Sequence, residues 1–218
     1  MIFSRPAGMV AAGGQHCGMS SHSGAAIPSP VSNPILNPIL NIVLHEPEIP
    51  NNTGNIGRTA VATGCALHLI EPLAFDTSEK ACRRAGLDYW ARLAPKQHKN
   101  WEAFLEAERP EPARMWFFST KATTYAGSVV YRPGDWLVFG KETKGLPDEM
   151  LARYAGSLVT LPMMPGERSL NLATAVCAAG YLAIDQFIRG GVLTIDGHAR
   201  LGWAAGLESG GAVGVAGV

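Results

Sequence analysis

Four stretches of the chain set reactive or ligand-binding side chains in segments too rich in proline, glycine or polar residues to be helix or central strand. The first, HEPEIPNNTGNIGRT (residues 45–59), has two prolines, three asparagines and two glycines, and it leads into a helix. Asn52 or Thr53 is its natural N-cap, and Arg58 is expected in the first helical turn, close to that loop. A helix start after a strand offers free N–H groups to an anion, and Arg58 beside it could pair with a phosphate or stabilise a developing negative charge. On residue type alone, a surface ion pair explains Arg58 equally well. The G-K-[ST] ending of a nucleotide-triphosphate loop is missing. The second stretch, STK (119–121), stands at a strand's carboxyl end, where open α/β sheets bind ligands. In the third, GKETKGLP (140–147), Gly140 lets a ligand approach the backbone closely. Glu142 is placed there to accept hydrogen bonds, unless it is an ordinary loop carboxylate. The fourth, PMMPGERSLN (162–171), holds two prolines and a glycine in its first seven residues and reads as a loop of fixed shape. Ser169 or Asn171 at its end would cap the helix that follows.

These stretches need elements to hold them. Apolar runs predict strands at 41–44, 67–70, 115–119, 136–139 and 157–161, with a weaker one at 91–94. Helices are expected from the first loop through Cys65, at 78–85 with Ser78 as cap, at 101–108 with Trp101, Phe104 and Leu105 inward, from Pro147 through Arg153, and at 170–188. Strand alternating with helix predicts a mainly parallel sheet of about six strands with helices on both faces. The loops after Phe118, Phe139 and Leu161 could then converge on one sheet edge. Their lining mixes backbone groups, Gly140, Thr120 and Ser169 with apolar Leu161, Met163 and Leu170. No Ser-His-Asp order or paired carboxylates suggest hydrolysis, and no G-x-G-x-x-G follows a strand. Residue pattern by itself reaches a small-ligand α/β protein.

Composition sets further limits. The 218 residues are 47% hydrophobic and 17% charged, with 18 Lys+Arg against 18 Asp+Glu. That is a globular chain with too balanced a charge to be held on nucleic acid by global attraction. Lys80, Arg83 and Arg84 make a small basic face. Such faces are ordinarily solvated; contact with RNA phosphate and ribose is the alternative. Four cysteines without a C-x-x-C pair or zinc spacing point to a reduced, cytoplasmic protein without a structural metal. The 170–188 helix is barely long enough to span a bilayer and contains Asn171, Asp185 and Gln186, so a core or subunit-interface helix is expected instead. Residues 1–38 lack periodicity and are expected to be a flexible extension. Residues 190–218, with nine glycines, are expected to be a mobile tail after a domain spanning 39–189.

NIVLHEPEIPNNTGNIGRT, LVFGKETKGLP and LPMMPGERSLNLATAV resemble, in order and separation, the three signature motifs of the SPOUT methyltransferases, in particular the TrmL (YibK-like) tRNA 2'-O-methyltransferase group. LHLIEP and RRAGLDYW between them are also similar, so the likeness covers residues 41–187. It implies a C-terminal trefoil knot, S-adenosylmethionine as methyl donor with S-adenosylhomocysteine as product, a homodimer, and a tRNA substrate methylated on the ribose of wobble cytidine or uridine 34. No membrane association is implied. Phe118, Gly140, Leu161 and Ser169 match cofactor-contact positions, and Ser119, Thr120, Glu142, Met163, Leu170 and Asn171 line the same loops. Arg58 matches the motif-one arginine given a central catalytic role. A guanidinium is a poor base, so gripping a phosphate and stabilising an alkoxide suit it better. Asn55 would orient its loop, with Ser169 and Asn171 assisting. Tyr181 matches a tyrosine implicated in tRNA contact, though a packed interface aromatic fits it equally.

The chain departs from the pattern at Asn52, where proline is common, at Gly57, which replaces a bulkier apolar residue and could loosen the helix start, and at His45, where tyrosine is frequent. A dimer could gather Arg83, Arg84, Lys96, Lys99, Lys144 and Arg168 into one basic groove. Two rivals are a SPOUT 2'-O-methyltransferase acting on ribosomal RNA and a non-catalytic α/β nucleotide-binding protein.

Overall fold

The computed structural model describes residues 37–207. Within them the apolar runs become six parallel strands: β1 (Asn41–His45), β2 (Ala66–Ile70), β3 (Lys96–His98), β4 (Met115–Phe118), β5 (Trp136–Phe139) and β6 (Leu158–Val159). Their order across the sheet is β3-β2-β1-β5-β4-β6, every pair parallel. Six helices connect them or follow them: α1 (Pro50–Thr63), α2 (Glu79–Arg84), α3 (Trp90–Leu93), α4 (Trp101–Glu108), α5 (Asp148–Arg153) and α6 (Leu172–Arg189).

Side chains alternate between the faces of a strand, and here that divides the core in two. Ile42 and Leu44 of β1, Leu137 and Phe139 of β5, and Leu67 and Leu69 of β2 pack under Ile56 and Ala60 of α1 and Val176, Ala179, Ala183 and Phe187 of α6. Val43, Ile70, Phe117 and Val138 point the other way, onto Trp101 and Phe104 of α4 and Met150 and Leu151 of α5. Strands buried on both faces are continuous apolar runs rather than alternating ones, which is why WLVF and MWFF stand out in the sequence. All six strands run the same way, so their carboxyl ends share one edge.

Several boundaries differ from expectation. Residues 91–94 lie in or beside helix α3, and the edge strand is the polar Lys96–His98, held by its ladder to β2. Helix α1 starts at Pro50, before either expected cap; Ile49 stands at the N-cap with no side-chain bond of its own. Arg58 is therefore eight residues past the helix start, about 12 Å along its axis, and not in the first turn. Asp148 begins α5 with Pro147 in the cap position. Ser78 does cap α2, accepting from the Ala81 N–H at 3.3 Å.

The glycine-rich segment after α6 needs a larger correction. Leu193–Ile195 (β7) and Leu201–Trp203 (β8) pair antiparallel. Val192 and Leu193 are buried in the α1/α6 core, with Leu201, Trp203 and Leu207 packed against it. Five apolar anchors spaced among the glycines suffice to order a short hairpin. The expectations for residues 1–36 and 208–218 lie outside the described residues. No helix among the described residues is long and apolar enough to cross a membrane.

At the β2/β3 edge, His68 Nδ1 and His98 Nε2 are 3.1 Å apart, and with Glu108 they form a group whose ligand atoms lie within 4.8 Å of one another. Burial pushes the His68 imidazole down to about 3, helped by the charge of Lys96. Lys96 Nζ sits 2.8 and 3.0 Å from the two Glu108 oxygens, so an ammonium already supplies the positive charge that an ion would bring.

Candidate functional site

The carboxyl ends of β1, β4, β5 and β6 surround a cavity of about 430 Å³, a size usual for small-ligand sites. Its floor is aromatic. Phe118 at the end of β4 stacks on Phe139 at the end of β5, ring centroids 4.5 Å apart and planes 16° apart. The polar side comes from the loop after β4, where Ser119 Oγ accepts from the Lys121 N–H at 3.2 Å, and from the β5 loop.

The β5 loop folds back on itself. The Gly145 N–H donates to the Lys141 carbonyl at 2.8 Å, Gly145 takes φ 69°, and a side chain on Gly140 would overlap the backbone of Gly145 and Leu146. Gly140 is thus required by the loop's own closure, whatever it does for a ligand.

Glu142 is a remote helix cap and not a loose surface carboxylate. Its oxygens accept from the Glu48 N–H at 2.8 Å, the Ile49 N–H at 3.2 Å and the Asn52 amide at 2.9 Å. These donors lie at and before the start of α1, so the carboxylate satisfies N–H groups that the helix leaves open and faces the positive end of its dipole. This accounts for the missing local cap, and it fills the anion position that a strand-to-helix loop offers. Asn52 carries the link onward. Its Oδ1 accepts from Asn171 Nδ2 at 2.9 Å, and Asn171 Oδ1 caps α6 through the Ala173 and Thr174 N–H groups at 2.9 and 3.3 Å. Glu142, Asn52 and Asn171 thereby tie the first, third and fourth chemical stretches together. Two more laces join the β1 and β5 loops: Lys141 to Glu46 at 2.5 Å, and the Thr143 N–H and hydroxyl to Glu48, both at 3.0 Å. The Thr143 hydroxyl, more than any other partner, holds the Glu48 carboxyl below its ordinary range. Its bond to Glu46 holds Lys141 above the usual lysine value.

Each sequence candidate has a definite place. Phe118, Ser119 and Thr120, then Gly140 and Glu142, and then Leu161, Met163, Ser169, Leu170 and Asn171 all line this one cavity. Lys144 and Arg168 line it too. Arg58 and Asn55 do not. They border a second cleft, of about 250 Å³, between α1 and the 75–90 segment, while Ile49 and Asn52 of the same region face the first. Within one chain the four candidate catalytic residues are split, Ser169 and Asn171 on one side of α1 and Asn55 and Arg58 on the other. Arg83 and Arg84 are exposed at the end of α2, whose Ala81 and Cys82 wall the second cleft. Tyr181 is 51% exposed on α6 and lines neither cleft.

Asn52 is not the N-cap it was expected to be; it is 6% exposed and bridges two loops, a role that sequence reasoning missed. The available signal was the run of asparagines, since a buried amide needs partners. Gly57, read as loosening the helix start, is instead a close-packing position. A Cβ there would come within 2.9 Å of Leu93 and 3.1 Å of Trp90.

Comparison with known proteins agrees with the geometry. The model of the SpoU rRNA Methylase family matches residues 39–181. A relative from Burkholderia ambifaria named tRNA (cytidine(34)-2'-O)-methyltransferase is 47% identical over 145 residues, 66% of this chain and 93% of the relative. A solved structure described as giving structural insights into the 2-OH methylation of C/U34 on tRNA is 44% identical, with a TM-score of 0.63, over 69% of this chain and 97% of its own. The SpoU methyltransferase AviRb of Streptomyces viridochromogenes, solved in complex with the cofactor AdoMet, is 25% identical with a TM-score of 0.57, over 74% of this chain and 64% of its own. The family match runs from the first strand through the knitted loops into α6, and on that ground this chain belongs to the SpoU rRNA methylase family.

Proposed function

We propose that this protein transfers the methyl group of S-adenosylmethionine to the ribose 2'-hydroxyl of the wobble nucleotide of tRNA, cytidine or uridine 34. One observation carries the reading: Phe118, Gly140, Leu161 and Ser169, which match cofactor-contact positions, and the six residues expected beside them all line a single cavity at the strands' carboxyl ends, in a chain 47% identical to a tRNA (cytidine(34)-2'-O)-methyltransferase. The lining suits the donor. Stacked Phe118 and Phe139 with Leu161 and Met163 offer apolar surface, and the glycine-bearing β5 loop presents backbone groups beside them.

When bound, S-adenosylmethionine supplies an electrophilic methyl on a sulfonium. The protein's part is to orient the acceptor oxygen and assist loss of its proton. Glu142, Asn52 and Asn171 hold the cavity loops in register. Arg58 grips the phosphate beside the target and stabilises the alkoxide as it forms, with Asn55 next to it. Ser169 and Asn171 border the donor. Arg58 and this cavity lie on opposite sides of α1 in one chain, which supports a homodimer in which Arg58 of one protomer meets the cavity of its partner. Arg83, Arg84, Lys144, Arg168 and Tyr181 contact the tRNA in this scheme. The trefoil knot belongs to the same proposal, as do a cytoplasmic setting and a reaction without metal.

Mass spectrometry of nucleosides from tRNA and ribosomal RNA tests it. Cells lacking the protein should lose 2'-O-methylation at position 34 and regain it with the wild-type chain but not with Arg58→Ala. Loss confined to ribosomal RNA would move the substrate to that class, and loss nowhere would leave the non-catalytic reading.

A further inference from the structure

We infer that Tyr89 is a positioning residue for Arg58: its ring is the shelf on which the guanidinium rests, and its hydroxyl locks that shelf to the helix that carries the arginine. The inference rests on the proposed role of Arg58.

The guanidinium carbon of Arg58 lies 4.8 Å from the centroid of the Tyr89 ring, within the range at which a cation is attracted to an aromatic face. Arg58 is exposed, whereas Tyr89 is only 3% exposed, so a buried ring supports a solvent-facing side chain. The Tyr89 hydroxyl donates to the Gly54 carbonyl at 2.5 Å. Gly54 is four residues before Arg58, one helical turn. Gly57 completes the contact, since a Cβ there would lie 3.3 Å from Tyr89 Cε2 as well as pressing on Leu93 and Trp90. Gly54, Gly57 and Arg58 form one stripe of α1; the missing side chain at Gly57 makes room for the ring, and at Gly54 a Cβ would lie 3.3 Å from Leu87, beside the carbonyl that the hydroxyl reaches. A bulkier residue at 57 would push the shelf away. Burial raises the Tyr89 phenol above its ordinary value, while the Arg58 charge and a hydrogen bond from Arg58 to the hydroxyl draw it back; the net shift is upward, so the phenol stays a proton donor to Gly54 at neutral pH.

A planar cation laid on a flat ring keeps its outer edge free to meet a phosphate or an oxyanion bidentately. Without the ring, Arg58 samples more rotamers and the aim of its donors is lost, a change felt in turnover more than in donor binding. Misplacement of a catalytic group by about 1 Å costs up to ~100-fold.

The test compares Tyr89→Leu, Tyr89→Phe, Arg58→Ala and the Arg58→Ala/Tyr89→Leu double variant in the full chain. It measures steady-state transfer to tRNA and S-adenosylhomocysteine affinity. Tyr89→Leu should lower kcat by about tenfold or more with S-adenosylhomocysteine affinity unchanged. Tyr89→Phe, which keeps the ring, should stay within about threefold of wild type. In the Arg58→Ala background Tyr89→Leu should cost nothing further, because the two act as one unit. An equal loss in both backgrounds, or an unchanged kcat in Tyr89→Leu, overturns the inference while leaving the role of Arg58 intact; full activity in Arg58→Ala removes that role and the inference with it. Should Tyr89→Leu not fold, the Arg58 side-chain Hε resonance decides, identified by its loss in Arg58→Ala. A ring-shifted position kept in Tyr89→Phe supports the shelf, and an ordinary position in the wild type overturns it.

Discussion

Replacing Glu142 with alanine should loosen three loops at once. The carboxylate accepts from the Glu48 and Ile49 N–H groups and from Asn52 Nδ2, at 2.8, 3.2 and 2.9 Å. Losing a helix cap costs about 1 kcal/mol. Ile49 is 44% exposed, so water can replace its acceptor at small further cost. Asn52, 6% exposed, is largely cut off from water, and stranding a buried donor costs about 1–3 kcal/mol. The two effects together predict a loss of about 2–4 kcal/mol. In a domain of this size that lowers Tm by roughly 5–15 °C. Glu142→Gln keeps one acceptor oxygen and should lose about 1 kcal/mol. Urea denaturation of both variants and of Asn52→Ala gives the values, and the Glu142→Ala/Asn52→Ala pair should be non-additive because both cut one network. A Glu142→Ala protein within about 0.5 kcal/mol of wild type, or strict additivity with Asn52→Ala, would refute the linkage.

Three other perturbations follow from the same physics. Burial holds the folded His68 imidazole down at about 3, against the 6.5 of an ordinary imidazole; the unfolded chain therefore binds the extra proton first, and stability falls as pH drops from 6.5 toward 3. Its share of the slope reaches about 1.4 kcal/mol per pH unit, so His68→Leu should flatten the dependence of urea stability on pH across that window. Dialysis against EDTA should leave stability and methyl transfer unchanged, because Lys96 already neutralises Glu108; activity lost to EDTA and restored by a divalent ion would show that the His68, His98 and Glu108 group holds metal. Ending the chain after Gly191 should lower Tm measurably, since Val192 and Leu193 are 9% and 1% exposed and each fully buried side chain of that size contributes about 1.5–3 kcal/mol.

The sequence makes some of this plain and hides the rest, for identifiable reasons. WLVF, MWFF and NIVL declare themselves because a parallel strand is buried on both faces and so is apolar throughout. The cavity residues after β4, β5 and β6 are legible because every parallel strand ends on the same edge. The start of α1 is not, because its cap is Glu142, some ninety residues further along the chain. Nor is β3, whose Lys96, Gln97 and His98 are held by ladder bonds to β2 and by contacts of His98 with His68 and Phe104 rather than by an apolar pattern. Counting glycines after residue 190 misses the hairpin because a few apolar side chains decide whether such a segment finds a core. The separation of Arg58 from the cavity follows from which stripe of α1 it occupies, and a one-residue error in the helix start moves that stripe by about 100°.

The most direct test is single-turnover methyl transfer from labelled S-adenosylmethionine to two tRNA transcripts that differ only at nucleotide 34, one with ribose and the other with 2'-deoxyribose. Label should enter the first transcript at that nucleotide and be absent from the second. Equal labelling of both, or labelling of neither while S-adenosylhomocysteine still binds, would contradict the assignment.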